Sequence, residues 1–384
     1  MKKQSIIKII TTILAVALAA CAYWKETGSI QETLGKQIEE AEVRAENPDE
    51  PSEIKAEENS GEGSKKAEDT AENKTEVDEL KTDVDDAKSG KSGEAKDGSD
   101  GEKKVQQEEG SVWVENIPEI VNEAATYTGT EPLEIIRFSV SDPENAEQLS
   151  TESKSFGFGA AKEGKPSQLT VDNQTYFDSL ERGVLAWDNR TEEKVLYLTF
   201  DCGYEYENLT ADMLDVLKEK EVSAAFFCTL DYLETAPQVV KRMIDEGHIV
   251  GNHSTTHPAD SAALSREEMA WEILGVDNYL RANFGYTSSY FRFPAGVYSE
   301  NALDLVDDVG FKSVFWSLAH ADWDPKDQPG VEKSFKTITE RLHPGAVILL
   351  HTTSPDNAAI LADYIDYARQ QGYTFRSLDE YPWD

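Results

Sequence analysis

Along residues 155–384, short apolar runs alternate with longer segments whose apolar residues recur every three or four positions. The runs have the length of β-strands, and the longer segments have the period of helices that face a core. The predicted strands are 195–200, 223–228, 249–250, 290–292, 313–316, 346–350 and 373–375, and the predicted helices are 210–220, 237–246, 265–284, 301–309, 331–341 and 357–371. Strands that alternate with helices indicate a parallel sheet with covered faces. The expected fold is α/β, a distorted (β/α)7-type barrel of parallel strands.

The first part of the chain has a different composition. No Phe, Tyr or Trp occurs in residues 25–112, where Glu, Asp, Lys, Ser and Gly dominate. Such a segment cannot bury enough apolar surface to offset the entropy of ordering its backbone. We therefore predict a disordered acidic tether over residues 21–112 and the main folded domain over 154–384. Residues 113–153 are expected to form a small extension, either a cap or a strand pair.

The amino terminus has the features of an export signal. Lys2, Lys3 and Lys8 precede an apolar stretch up to residue 20, which is too short to span a bilayer comfortably. The stretch ends in Leu-Ala-Ala-Cys at residues 18–21, which resembles the bacterial lipobox. Residues 1–20 are therefore predicted to be a lipoprotein signal peptide, and lipidated Cys21 is expected to anchor an extracytoplasmic protein to the membrane. An ordinary signal peptide or an uncleaved anchor is the alternative.

Charge and cysteine content narrow the classes of function. The formal net charge of −37 excludes a nucleic-acid partner, because binding phosphates needs a basic surface. Beyond Cys21 the chain has only Cys202 and Cys228. An exported protein can join such a pair in a disulfide, but both residues end apolar runs, where small buried thiols also fit. The sequence favours two free thiols.

Polar residues stand where several predicted strands end. Parallel strands of a barrel collect their carboxyl ends at one face, which is where barrel enzymes have their active sites. The residues in question are Asp201, His253, His257, Arg292, Asp322 and His351. Strand ends that each offer Asp, His or Arg indicate an enzyme active site.

Three of the six histidines fall at strand ends, and two of these are four residues apart. On a turn of helix, His253 and His257 would face one way and could share a metal ion. No Glu follows His253, so the zinc-protease pattern is absent. The remaining histidines, His248, His320 and His343, are expected to be structural or exposed.

Five ordered motifs resemble those of the polysaccharide deacetylases, carbohydrate esterase family four. They are Thr-Phe-Asp-Cys-Gly-Tyr-Glu at 199–205, His-Ser-Thr-Thr-His at 253–257, Arg-Phe-Pro at 292–294, Asp-Trp at 322–323 and Leu-Leu-His-Thr at 349–352. The flanking sequences Ser-Phe-Gly-Phe at 155–158 and Gly-Tyr-Thr-Phe at 372–375 are similar to the delta-lactam-biosynthetic, or muramic acid, de-N-acetylases. The resemblance covers residues 154–384, which it identifies as the catalytic domain.

The resemblance implies a divalent metal cofactor, with zinc expected first and manganese or cobalt as alternatives. His253 and His257 are the implied ligands. Where most of the family has a second Asp that binds the metal, this chain has Cys202. A thiolate is a good zinc ligand, but its sulfur is one bond closer to the backbone than a carboxylate oxygen. We expect Cys202 to lie near the metal, with its role as a ligand left open.

The resemblance also implies an acid–base pair for amide hydrolysis. Asp201 is expected to take the proton of the attacking water, and Arg292 to hold Asp201 ionised and oriented. His351 is expected to protonate the leaving nitrogen, and Asp322 to orient His351 and support its charged form. Together these four residues form the implied catalytic set.

The implied substrate is a wall polysaccharide, and peptidoglycan glycan strands are the expected partner besides the membrane. Trp323 and Leu349 are expected to wall an apolar slot for the acetyl methyl group, although plain core packing explains them nearly as well. The flanking sequences favour N-acetylmuramic acid of peptidoglycan, a step towards the muramic delta-lactam of spore cortex. N-acetylglucosamine of peptidoglycan or another polysaccharide is the alternative. A catalytically inactive, wall-binding lipoprotein is the third hypothesis, supported only by Cys202.

Overall fold

The computed structural model of the chain describes residues 111–120 and 131–383. The predicted signal peptide, Cys21 and the tether up to residue 110 lie outside the described residues. Within the described ranges, no helix is both long enough and apolar enough to cross a membrane.

The described residues form short strands that alternate with helices. The strands are β1 (Val112–Val114), β2 (Phe138–Val140), β3 (Lys154–Ser155), β4 (Val184–Leu185), β5 (Val195–Cys202), β6 (Ala225–Cys228), β7 (Ile249–Asn252), β8 (Tyr290–Phe291), β9 (Val297–Tyr298), β10 (Lys312–Val314), β11 (Ala346–His351) and β12 (Thr374–Phe375). The helices are α1 (Gln168–Ser179), α2 (Leu209–Glu219), α3 (Leu230–Thr235), α4 (Pro237–Asp245), α5 (Arg266–Phe284), α6 (Glu300–Asp308), α7 (Val331–Glu340) and α8 (Pro355–Gln370). Each predicted strand and helix overlaps an observed one.

The main sheet is parallel throughout and forms a half-barrel. Its order is β11-β5-β6-β7-β8-β10-β4, and β12 pairs with the start of β5. The two ends of this ladder meet only through isolated bridges, one between Leu318 and Ile348 and one between Trp187 and Ala346. The prediction of an α/β fold with parallel strands is therefore confirmed, and the predicted distorted (β/α)7-type barrel is a half-barrel in the structure. The sequence pattern missed β4 because a two-residue strand is too short to give a periodic signal.

The central strand β5 is buried along its whole length, as expected for a strand with covered faces. Alternate side chains point to opposite faces of a strand. Leu198, Phe200 and Cys202 belong to the core cluster between the sheet and the helices, whereas Tyr197 belongs to the cluster inside the half-barrel. Asp201 therefore points to the interior face, and Cys202 points towards the helices.

The extension, residues 111–120 and 131–153, contains a strand pair rather than a separate cap. β1 and β2 pair antiparallel, with Trp113 opposite Ser139. Val114, Phe138 and Val140 are buried in one cluster with side chains of α5. β1 begins at Val112, which is the last residue of the predicted tether.

Helix α5 lies between the extension and the sheet. Ser265 and Glu268 form a reciprocal capping box at its start, and Gly285 in a left-handed conformation ends it. Both signals are local, which explains why the sequence predicted this helix to within a residue. Most of its side chains are buried. The helix thus contacts structure on nearly all sides.

Candidate active site

Four of the predicted polar residues lie at the carboxyl edge of the parallel sheet. Asp201 is near the end of β5 and His351 ends β11, and these two residues are Cα partners in the parallel ladder. Arg292 follows β8 directly, and His253 follows β7. Because parallel strands end at the same edge, residues far apart in sequence are brought together there.

Asp201 and Arg292 form a buried ion pair. Arg292 Nη1 donates to Asp201 Oδ1 at 2.8 Å, and both side chains are almost fully buried. The rest of the guanidinium is also satisfied, since Nε donates to the carbonyl of Val314 at 2.9 Å and Nη2 donates to Thr199 Oγ1 at 2.8 Å. Burial raises the pKa of Asp201, but Arg292 and then His253 outweigh it, so the pKa lies below the ordinary value. Asp201 is therefore ionised.

His253 and His257 lie next to each other, with ring centroids 4.9 Å apart and ring planes at 73°. Nδ1–H of His253 donates to the carbonyl of Arg292 at 2.9 Å, which leaves Nε2 with its lone pair, 3.5 Å from Asp201 Oδ2. Burial lowers the pKa of both imidazoles, for His257 to about 4. Both rings are therefore neutral, as metal ligands must be.

The two imidazoles fit a divalent metal ion with positions left for water or substrate. A backbone carbonyl bonded to the far nitrogen of a ligating histidine fixes the tautomer, which is the usual arrangement around protein-bound metals. Among residues 111–120 and 131–383, no three His, Cys, Asp or Glu side chains form a complete ligand set. The pair His253 and His257 is thus the protein's contribution that the geometry supports.

The four-residue spacing of these histidines predicts a helical turn, but the structure places them on a loop. Residues 253–257 form a loop in which Ser254 has φ +70° and His257 has φ +53°, both left-handed. Two side chains hold the turn: Asn252 Oδ1 accepts from Ser254 N, and Ser254 Oγ accepts from His257 N, each at 2.9 Å. These hydrogen bonds of the loop, rather than a turn of helix, bring the two imidazoles next to each other.

His351 and Asp322 form the second ionic pair. Nδ1–H of His351 donates to Asp322 Oδ1 at 2.7 Å, and the His351 amide donates to Asp322 Oδ2 at 2.9 Å. Burial lowers the pKa of His351, but the carboxylate of Asp322 raises it more, so the pKa lies above the ordinary value. His351 Nε2 remains available to a substrate.

Sequence reasoning missed two residues that support this pair. Asn357 Nδ2 donates to Asp322 Oδ2 at 2.6 Å and to the carbonyl of His351 at 3.1 Å. Nε2–H of His320 donates to Asn357 Oδ1 at 2.9 Å. His320, which the sequence predicts to be structural or exposed, is buried and belongs to the hydrogen-bond network of the site. The available signal was its position two residues before Asp322.

Cys202 lies in the core rather than beside the histidine pair. Its backbone pairs with Cys228 across β5 and β6, and its side chain belongs to the cluster between sheet and helices. Burial, and then the neighbouring thiol of Cys228, raises the pKa of Cys202 well above the ordinary value. Both cysteines are free thiols. A protonated thiol on the helix side of the strand is poorly suited to bind a metal.

This placement gives a prediction for Cys202→Ser. The variant should bind zinc with an affinity within about twofold of wild type, because the side chain of residue 202 does not face the histidines. Its free energy of unfolding should fall by about 1–3 kcal/mol, because a polar hydroxyl replaces a buried thiol. Zinc affinity can be measured by competition with a chromogenic chelator, with His253→Ala as the control that loses binding. A zinc affinity reduced as strongly as in the control would make Cys202 a ligand.

The two predicted slot residues occupy different environments. Leu349 is buried in the cluster that contains Phe293, Phe315 and Trp316. Trp323 is half-buried directly after Asp322, and its carbonyl accepts from Thr353 Oγ1 at 3.2 Å. The contacts of Leu349 agree with core packing, whereas Trp323 keeps part of its surface accessible beside the site.

Comparisons with known proteins agree with this geometry. The sequence model of the polysaccharide deacetylase family matches residues 188–314. The peptidoglycan-N-acetylmuramic acid deacetylase PdaA of Bacillus subtilis is 37% identical over 236 residues, which are 61% of this chain and 88% of that protein. A peptidoglycan-N-acetylglucosamine deacetylase of Bacillus cereus is 33% identical over 206 residues, which are 52% of this chain and 72% of that protein.

The solved structure of Bacillus subtilis PdaA, a family 4 carbohydrate esterase, is similar to this structure with a TM-score of 0.57. The similarity covers 61% of this chain and 98% of that chain at 37% sequence identity. The structure is a parallel half-barrel with its charged pairs at one edge, and it matches this relative over most of the relative's length. The chain belongs to the polysaccharide deacetylase family, the hydrolases that cleave the amide bond of acetylated amino sugars.

Proposed function

We propose that this protein removes the acetyl group from N-acetylmuramic acid in peptidoglycan. The observation that carries the reaction is the placement of two ion pairs, Asp201 with Arg292 and His351 with Asp322, at one edge of the sheet. Asp201 and His351 are partners in register on the neighbouring strands β5 and β11. The substrate is supported by the match to PdaA and by the flanking sequences at 155–158 and 372–375. The family's divalent metal, when bound at His253 and His257, would polarise the acetyl carbonyl and acidify water.

The protein's own residues supply the proton transfers. Asp201, kept ionised by Arg292, takes a proton from water as the water oxygen attacks the acetyl carbon. His351, protonated beside Asp322, gives its Nε2 proton to the amide nitrogen as the carbon–nitrogen bond breaks. The products are acetate and a free amine on the sugar. Base and acid are partners in register on β5 and β11, so they can act on the same amide.

The pH dependence of this reaction should change in Asp322→Asn. In the wild type, Asp322 raises the pKa of His351, so this acid stays protonated at a higher pH than an ordinary histidine does. Without that carboxylate, His351 loses its proton at lower pH, and the alkaline limb of kcat/KM should move to lower pH. We also expect turnover at the optimum to fall roughly 10²-fold.

The matched control is Asp324→Asn, which removes an exposed carboxylate two residues away. Its pH profile should follow wild type, because Asp324 makes no bond to His351. If the alkaline limb of Asp322→Asn coincides with that of wild type, Asp322 does not support the acid. Acetate release from soluble glycan fragments between pH 5 and 10 is the measurement.

The location and the metal are part of the same proposal. We propose that Cys21 is lipidated and that the acidic segment up to residue 112 lets the catalytic domain reach the wall from the membrane. Zinc is the proposed metal, with manganese and cobalt as alternatives. The similarity to muramic acid de-N-acetylases supports a place in formation of the muramic delta-lactam of spore cortex.

N-acetylglucosamine is the second candidate substrate. The identity of 33% with the Bacillus cereus glucosamine deacetylase favours it, although the match covers less of this chain than the PdaA match does. An inactive wall-binding protein is disfavoured because Asp201, Arg292, Asp322 and His351 are all present and paired. Pure binding needs no buried acid–base set.

Product analysis separates these candidates. Full-length protein would be incubated with zinc, manganese or cobalt on peptidoglycan with and without its stem peptides, and the sugars identified by mass spectrometry. Free muramic acid amine, or its lactam, supports the proposal. Deacetylated glucosamine alone would keep the reaction and replace the substrate. No acetate with any metal, from folded protein, would favour the binding function.

A further inference from the structure

The extension and the loop of residues 253–257, here called the histidine loop, contact the same part of helix α5. Asn116 Nδ2, in the extension, donates to the carbonyl of Trp271 at 3.0 Å. The next carbonyl of the helix, that of Glu272, accepts from Thr255 N at 3.0 Å and from Thr255 Oγ1 at 2.8 Å. Consecutive carbonyls of one helix therefore hold the extension and the loop that carries His253 and His257.

Gly275, one turn further along, is where the two segments meet. A Cβ atom at Gly275 would lie 2.3 Å from Thr255 Oγ1 and 2.4 Å from Asn116 Nδ2. Glycine is unfavourable inside a helix, so its presence there needs a reason. The reason on this helix is the joint approach of Asn116 and Thr255, which no larger residue would allow.

Each segment is anchored to α5 by a further buried side chain. Asn278 Nδ2 donates to the carbonyls of Asn116 at 2.8 Å and Ile136 at 3.0 Å, and its Oδ1 accepts from Ile136 N at 2.8 Å. On the loop side, the carboxylate of Glu272 accepts from Thr256 N at 2.8 Å and from Thr256 Oγ1 at 2.5 Å. Both side chains therefore restrain the backbone, Asn278 that of the extension and Glu272 that of the histidine loop.

We propose that the extension positions the histidine loop through α5, with Asn116, Gly275 and Glu272 as positioning residues for the metal ligands His253 and His257. The loop needs such support because Ser254 and His257 are both left-handed, a conformation that non-glycine residues rarely adopt. This inference rests on the proposed function only in taking His253 and His257 as the metal ligands. It assigns a role to a segment outside the matched residues 188–314.

Asn116→Ala in the full chain is the main test. The change removes the amide donor near Gly275 but keeps the Asn116 carbonyl that Asn278 holds. We expect zinc affinity to fall about tenfold, at the lower end of the 10–100-fold range for residues that support metal ligands. In the metal-free protein, hydrogen exchange at the amides of Thr255 and Thr256 should become faster. Glu272→Gln, which acts directly on the loop, should show both effects more strongly.

Ser141→Ala is the matched control within the extension. Ser141 Oγ donates to Asp308 on α6 at 2.6 Å, so this variant also loses one side-chain hydrogen bond of the extension, but away from Gly275. It should match wild type in zinc affinity and in loop exchange. If Asn116→Ala behaves like Ser141→Ala in both measurements, the proposal is wrong.

His253→Ala separates failure of this inference from failure of the metal site. If that variant binds zinc as wild type does, His253 is not a ligand, and the exchange rates alone then decide. Faster exchange at Thr255 and Thr256 in Asn116→Ala would still support positioning of the loop by the extension. Unchanged exchange would contradict it.

Discussion

Replacing Asp201 by Asn should lower turnover by roughly 10²–10⁴, the usual contribution of a general base. Asparagine has the same shape but cannot accept the proton of water. Stability should fall, because Arg292 becomes an uncompensated buried charge. The loss is limited because Arg292 keeps its bonds to Thr199 and to the carbonyl of Val314, and the asparagine oxygen can still accept from Arg292. Metal content should also persist, since His253 and His257 are unchanged. Rates of acetate release and metal content by mass spectrometry measure the two effects.

Asp188→Asn is a suitable control for this variant. Asp188 is also buried and bonded, accepting from the Tyr197 hydroxyl at 2.8 Å, but it lies outside the cluster of site residues. Its loss should affect stability without a comparable fall in turnover. Turnover of Asp201→Asn close to that of the control would rule Asp201 out as the base.

Replacing Arg292 by Met should lower the free energy of unfolding by about 3–5 kcal/mol, the range seen when one partner of a buried ion pair is removed. Arg292 is fully buried, and its guanidinium lies 4.1 Å from the centre of the Phe227 ring. Methionine fills part of that volume but leaves Asp201 as an uncompensated buried charge. Activity should fall as well, because Arg292 would no longer orient Asp201 or lower its pKa.

The pH dependence of unfolding shows whether charge is the cause. In wild type, the lowered pKa of Asp201 gives stability that is present above the unfolded-state pKa and is lost as pH falls through the folded-state pKa. The stability difference between wild type and Arg292→Met should therefore be largest near neutral pH and shrink in acid. Urea titrations at pH 7 and at a pH below the unfolded-state carboxyl pKa of about 3.9 measure it.

The double variant Asp201→Leu with Arg292→Met is the control, because replacing both partners by apolar groups avoids the buried charge. It should be more stable than Arg292→Met alone. A double variant less stable than the single one would mean that packing around Arg292, rather than its charge, dominates.

Local signals predicted much of this structure. Apolar runs located β5 and β11, and the helical period of apolar residues located α5. The polar residues at strand ends were then placed together by the geometry of a parallel sheet alone. The sequence therefore indicated which charged residues lie together at the carboxyl edge of the sheet.

The sequence could not predict which way some side chains point or which residues far apart in sequence contact each other. The apolar pattern ended β5 at residue 200, but the strand continues to Cys202, and two more residues of regular strand place Cys202 on the face opposite Asp201. Asn357 reaches Asp322 from the start of α8, a contact that no local pattern encodes. The role of the extension likewise depends on its contacts with α5.

The pairing of β5 with β11 has a consequence for how the enzyme folds. Asp201 and His351 are about 150 residues apart in the chain, yet they face each other because the two strands align in one register. Contacts this distant are slow to form, since a long loop must close before the strands gain from pairing. Recovery of enzymatic activity during refolding therefore reports this long-range step, whereas helix content and early collapse report only the local ones.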